Sequence, residues 1–263
     1  MDVRFWGVRG SIPVSGARYL GAGGNTSCVE FLHRGRRLVI DGGTGLRALG
    51  ASLGFRPVEA TFLFTHVHWD HIQGVPFFGP AFHPDSRFVF GGAAGLQEAL
   101  SEQMKAPQFP ITLEAVRAGI DWLELESQRT FRVGPFSVTP LSMNHPDGVF
   151  AYRVETGDHS VVFATDVEHA GVVDEALVEL SAGADLLVHD AQYTPDEYAV
   201  RRGWGHSTVD EAIEVARRAE VGALALFHHD PARDDEALCR LEARARSRLP
   251  GAFVAREGPA LAL

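Results

Sequence analysis

At 263 residues and 45% hydrophobic content, the chain is long enough to bury a full core and fits one large domain or two small ones. Its formal net charge of −10 argues against a general affinity for polyanions, because such binding rests on many Lys and Arg contacts to phosphate. The two cysteines, Cys28 and Cys239, lie far apart without CxxC spacing, so no disulfide framework is expected. No apolar run approaches the ~20 residues that span a bilayer, and the start lacks the apolar stretch of a signal peptide. A soluble cytoplasmic protein with one domain over residues 1–263 is the expectation.

The first half reads as a strand-rich layer, with β-type segments at 3–8, 28–32, 37–41, 61–65 and 87–92 bounded by Gly, Pro, Asn or Asp. A helix is expected near 94–104, followed by strands at 136–141, 150–156 and 160–166. The pattern then turns helical. From Thr208, Val209, Ala212, Ile213 and Ala216 share one face, and Thr208 with Glu211 forms a capping box. Segments 184–190 and 222–230 are continuous apolar runs, as in strands covered on both faces, and both end in His and Asp. The glycines of "VIDGGTG" imitate a dinucleotide fingerprint, but the next strand runs into His66 instead of an acidic residue, so they are read as a tight turn.

Directly after the apolar run "ATFLF" comes "THVHWDHIQG", with His66, His68, Asp70 and His71 as the chain leaves a strand and turns into a helix. Three imidazoles and a carboxylate at that spacing supply metal-ligand chemistry, and two ligand sets can face each other there. Farther along, His145, Asp166, His189, Asp190, His206, His228 and His229 all follow or end predicted strands or sit in a Gly-rich loop. Side chains at neighbouring strand ends converge on one sheet edge, where ligands commonly bind. Neighbours on a strand point to opposite faces, so only one of His228 and His229 enters such a site. His33, His83, His159 and His169 have no motif partner and are read as surface or capping residues.

The HxHxDH at 66–71, with His145, Asp166 and His228 in that order, resembles the motifs of the metallo-β-lactamase superfamily over nearly the whole chain. The resemblance implies a four-layer αββα sandwich of the α/β class and a dinuclear metal centre. His66, His68 and His145 would hold one metal, Asp70, His71 and His228 the other, and Asp166 would bridge them. Asp41 would support the metal loop without being a ligand. Imidazole and carboxylate suit two divalent ions, Zn first, with Mn or Fe also compatible. The bridging position holds no Cys, unlike some lactamases of the superfamily.

"VHDAQ" and "GHST" are similar to the phosphodiesterase branch that includes RNase Z, where an acidic residue pairs with the His of a His-Ser-Thr motif. The resemblance makes Asp190 that acid and His206 the general acid of a metal-dependent hydrolase, with Asp70 also catalytic and a metal-bridging hydroxide as nucleophile. It also implies a small or cyclic phosphodiester as substrate and a homodimer. The stretch from His145 to Asp166 is too short for the arm with which RNase Z grips transfer RNA. "RFWGVRGSIPV", "GGNTSC" and "HWDHIQGVPFF" look like small bacterial metallo-hydrolases similar to class II cyclic-nucleotide phosphodiesterases. Asn25, Thr26 and Ser27 are either pocket donors or a structural turn, and the loop 103–112 is either a lid or a connection. Two rival readings are a thioester or lactam hydrolase on the same centre and a metal-dependent binding protein without turnover.

Overall fold

Continuous apolar runs become strands here because both faces of each sheet are covered. The computed structural model describes residues 1–263. In chain order the first half supplies β1 (Asp2–Gly7), β2 (Cys28–His33), β3 (Arg36–Ile40), α1 (Gly45–Leu53), β4 (Glu59–Leu63), α2 (Trp69–Ile72), β5 (Arg87–Gly92), α3 (Leu96–Gln103) and β6 (Gly119–Glu124). The second half supplies β7 (Phe131–Val133), β8 (Phe136–Met143), β9 (Val149–Thr156), β10 (His159–Ala164), α4 (Glu175–Ser181), β11 (Leu186–Asp190), α5 (Pro195–Tyr198), α6 (Val209–Arg218), β12 (Ala223–Phe227), α7 (Asp235–Arg248), β13 (Ala252–Val254) and β14 (Leu261–Ala262). They form two seven-stranded sheets, ordered β14-β1-β2-β3-β4-β5-β6 and β13-β12-β11-β10-β9-β8-β7. Strands β3 to β6 run parallel, as do β10 to β13.

Three apolar layers fill the spaces of the expected four-layer αββα sandwich. Phe5, Phe31, Leu38, Tyr152, Phe163 and Phe227 lie between the sheets. Trp6, Val39, Leu46, Leu49 and Phe62 join the first sheet to α1 and its flanking turns. Val162, Leu187, Leu226, Ile213 and Leu238 join the second sheet to α6 and α7. Successive residues of one strand take opposite layers: Val161 and Phe163 face the other sheet, while Val162 and Ala164 face the helices. Full burial of each such large side chain contributes roughly 1.5–3 kcal/mol.

The expected face of α6 is buried at Val209, Ala212, Ile213 and Ala216, and its capping box is formed by Thr208 and Glu211. The glycines at 42–45 are more than a turn: Gly45 opens α1, where an added Cβ would stand 2.6 Å from the Trp6 carbonyl. Helix α7 was not legible in the pattern because only Leu238, Leu241 and Ala245 are buried along it, a narrow stripe in an otherwise charged sequence. The strands near 160–166 and 222–230 stop earlier than their apolar patterns suggest, at Ala164 and Phe227. Just beyond those ends, Asp166 and His228 adopt positive φ of 54° and 59°. Asp41, immediately after β3, does the same at 63°. This conformation is costly without glycine and turns three polar side chains away from the strand direction.

Candidate metal centre

The polar residues at the C-terminal ends of β3, β4, β10, β11 and β12 meet at one edge of the sandwich, with His145 arriving after β8. Ligand atoms of His66, His68 and His145 lie within 4.8 Å of one another, and those of Asp70, His71, Asp166 and His228 form a second such group. Asp166 faces both. Its Oδ1 is 3.3 Å from His71 Nε2 and 3.2 Å from His228 Nε2. Its Oδ2 is 3.8 Å from His66 Nε2 and 3.9 Å from His145 Nε2. Asp70 Oδ2 completes the second group at 3.3 Å from His71 Nε2 and 3.2 Å from His228 Nε2. His68 presents Nδ1, which lies 3.1 Å from His145 Nε2.

The other ring nitrogen of each remaining imidazole is held by a fixed partner. His66 Nδ1 is 3.0 Å from Thr65 Oγ1, His71 Nδ1 2.7 Å from Asp41 Oδ2, His145 Nδ1 2.8 Å from the Gly205 carbonyl, and His228 Nδ1 2.8 Å from Gln192 Oε1. Such contacts set ring orientation and leave Nε2 to a metal. Asp41 also accepts from Ser27 Oγ and from the backbone and hydroxyl of Thr65, which locks the start of the His66 loop. The backbone N–H of Ser11 donates to Asp70 Oδ2 at 2.7 Å. Glycine is required beside two of these rings. A Cβ on Gly205, at φ +86°, would lie 2.1 Å from His145 Nδ1, and one on Gly10 would lie 2.4 Å from His228 Nδ1.

The donor set fits two divalent cations. His66 Nε2 and His71 Nε2 are buried without any hydrogen-bond partner, and both face the carboxylate of Asp166. A cation on each side gives those nitrogens and the buried carboxylates a common partner. Without one, the charges divide unevenly. Burial resists ionisation of Asp166, yet His228 and His71 hold it well below the usual carboxylate range. Burial likewise resists a charge on His71, but Asp166, Asp70 and Asp41 raise it well above the ordinary imidazole value. Burial and the neighbouring His71 push His66 well below.

Beside this cluster, His206 Nδ1 lies 2.8 Å from Asp190 Oδ2, and its ring stacks on His228 with centroids 4.9 Å apart. Asp190 is fully buried and held by the backbone N–H groups of Asp166 and Gln192. Burial lowers the affinity of His206 for a proton, but the Asp190 carboxylate outweighs it and raises the pKa to about 9. Its hydrogen bond within the protein is made through Nδ1.

Other expected residues go elsewhere. His229 turns away and sets Nε2 2.9 Å from the Ala255 carbonyl. His189 is sealed behind the site, bound to the Asp190 carbonyl through Nδ1. His169 is not the surface or capping residue expected: it is buried, with Nε2 3.2 Å from His189 Nε2, because the turn after Asp166 folds back over β11. Asn25 binds Glu257, Thr26 bridges to Thr44, and Ser27 binds Asp41, so this trio serves structure. In the loop 103–112, Gln103 donates to the Ile72 carbonyl and Phe109 packs edge-on to Phe77. Sequence reasoning did not find Gln192 as the partner of His228; the only signal was its place two residues after Asp190.

Two cavities flank the cluster. One of about 390 Å³ opens beside His66 and His68 and is lined by Phe64, Leu96, Val149 and Phe150. The other, of about 490 Å³, has His145, Glu168, Tyr198 and Arg202 in its walls. A further cavity of about 360 Å³, lined by Arg36, Arg87 and Phe88, lies at the opposite end of the strands and touches none of these ligands.

Residues 36–229 match the family model described as a β-lactamase superfamily domain. The chain is 31% identical to Ribonuclease Z of Mycobacterium sp. (strain KMS), over 75% of each protein. It is 26% identical to "Probable metallo-hydrolase YhfI" of Bacillus subtilis, over 73% of this chain and 74% of that protein. The crystal structure of the YhfI protein from Bacillus subtilis superposes with a TM-score of 0.76 at 20% identity, covering 99% of both chains. A diphosphatase from the PhnP family superposes with a TM-score of 0.72 at 16% identity, covering 100% of this chain and 97% of the other.

Proposed function

The chain belongs to the metallo-β-lactamase superfamily and is a metallo-hydrolase with RNase Z among its relatives; from that premise we propose that it is a phosphodiesterase for a small or cyclic phosphodiester. The observation that carries this reading is the His206–Asp190 pair beside the ligand cluster. A thioester, whose thiolate departs without a proton, has less need of such an acid than a phosphodiester whose leaving group is an alkoxide.

In this reading His66, His68 and His145 would hold one divalent ion, Asp70, His71 and His228 would hold the other, and Asp166 would be shared. When bound, zinc or a similar pair of ions polarises the phosphoryl oxygens and makes water a stronger nucleophile. The protein's own part is orientation and proton transfer. Asp41, Gln192, Thr65 and the Gly205 carbonyl fix the imidazoles that face the substrate. As the P–O ester bond breaks and water adds its oxygen to phosphorus, the electron pair leaves on the alkoxide. His206 Nε2 gives that oxygen its proton, while the ring keeps its Nδ1–H, donated to the Asp190 carboxylate that compensates the imidazolium charge beforehand. The attacking water gives up a proton to solvent, the products are a phosphomonoester and an alcohol, and His206 regains its own proton from solvent.

The test is hydrolysis of bis(p-nitrophenyl) phosphate by zinc- or manganese-loaded protein, lost in Asp166→Ala. A metal-replete wild type that is silent across a panel of phosphodiesters, yet turns over thioesters or lactams, overturns the proposal.

A further inference from the structure

The turn between α5 and α6 carries a cation that the proposed reaction does not use. It is anchored to one carboxylate. Glu168 accepts from Tyr198 Oη at 2.7 Å, from the Gly203 N–H at 2.7 Å and from the Gly205 N–H at 2.8 Å. Those donors outweigh its burial and hold it below the usual carboxylate range. The Gly205 carbonyl in turn holds His145, so the turn is tied to the ligand cluster through two consecutive hydrogen bonds.

Arg202 sits at the tip of this turn, with its Cζ 5.8 Å from the centroid of the Tyr198 ring. It has no carboxylate within 4.0 Å, as is also true of the exposed Arg34, Arg47, Arg56, Arg117, Arg132 and Arg217; what sets it apart is its place in a cavity wall beside His145. It is the only Arg or Lys lining the 490 Å³ cavity that His145 also lines. The Glu168 carboxylate in that cavity is turned to three donors of the turn and lies more than 4.0 Å from the guanidinium. An unpaired guanidinium, steadied over an aromatic ring beside proposed metal ligands in an acidic protein, is arranged for an anion. The cavity on the other side of the cluster, by His66 and His68, is lined mainly by apolar groups and offers no cation.

We propose that Arg202 determines specificity by binding a second phosphoryl group on the substrate, so that the preferred substrate is a phosphodiester carrying a further phosphate on one of its two substituents. This rests on the phosphodiesterase reading. The uncharged substituent occupies the apolar cavity beside His66 and His68, and the phosphorylated one lies along the wall formed by His145, Tyr198 and Arg202.

The test compares the p-nitrophenyl ester of thymidine monophosphate with the same ester bearing an additional phosphate on the sugar. For the wild type, KM is expected to be about ten-fold lower for the second ester, the order expected of one charge-assisted contact. Arg202→Ala removes that advantage through KM, leaves kcat and the singly charged ester unchanged, and Arg202→Lys restores part of it. An advantage that survives Arg202→Ala, or an equal loss on both esters, overturns the assignment. Calorimetric titration of zinc-loaded protein with a nucleoside bisphosphate and the matching monophosphate separates the two readings. If neither ester is turned over, the phosphodiesterase reading fails while the titration still decides on Arg202. Tighter binding of the bisphosphate that disappears in Arg202→Ala supports the assignment; equal binding, or binding of neither, overturns it.

Discussion

Replacing His206 by Ala removes the proposed proton donor, whose value depends on the leaving group. The imidazole is preset for that role: Asp190 Oδ2, 2.8 Å from Nδ1, raises its pKa to about 9, so in the metal-free protein only about one His206 in a hundred is deprotonated at pH 7. Cations held beside His228, on which the ring stacks, would lower that value, in the direction that suits a general acid near neutral pH. A positioned general acid accelerates its step by about 10²–10⁴-fold. For a methyl or nucleoside leaving group, which departs as a strongly basic alkoxide, His206→Ala is expected to lower kcat by that factor. A p-nitrophenolate needs little protonation and should lose far less. The assay is steady-state hydrolysis of matched alkyl and p-nitrophenyl phosphodiesters by zinc-loaded wild type and variant across pH 6 to 10. Because the acid must be protonated, alkyl-ester turnover falls as pH rises through the His206 pKa, and this limb vanishes in the variant. Equal losses for both leaving groups, or a basic limb that survives the substitution, would refute the general-acid role.

Asp190→Asn removes the largest of the groups that oppose the burial of His206, leaving only Asp166 and Asp70, so nuclear magnetic resonance of the metal-free variant should show its pKa falling well below about 9. By linkage, the raised value in the wild type gives stability that is fully present below 6.5 and lost as pH rises through about 9; the variant should lose most of that dependence. Asp41→Ala strips the acceptor from His71 Nδ1, Ser27 Oγ and both donors of Thr65. Denaturant unfolding should show a loss of about 3 kcal/mol, and metal affinity measured by competition with a chelating dye should fall about 10–100-fold. Chelation of the metals should lower the melting temperature, since ligand at about 1,000 times its Kd contributes about 4 kcal/mol. A melting temperature that ignores both chelator and added zinc would contradict the metal centre.

The chain's own order of residues determined the chemistry of the site. His66, His68, Asp70 and His71 are local in sequence, and the apolar runs before His66, Asp166, Asp190 and His228 marked strands whose ends could meet. Covered sheets require such runs, so the sandwich was legible with them. Tertiary structure decided the aim of each group. Asp41, Asp166 and His228 take positive φ, which is uncommon for any residue but glycine and which no local pattern in the sequence announces. Gln192 meets His228 across 36 positions, and His169 is buried against His189 because a turn folds back over a strand, neither of which leaves a local pattern. The same holds for Arg202. Its sequence neighbours describe a polar turn, but only the fold brings that turn against His145 and leaves the guanidinium without a carboxylate, since long-range hydrogen bonds to Glu168 set its position.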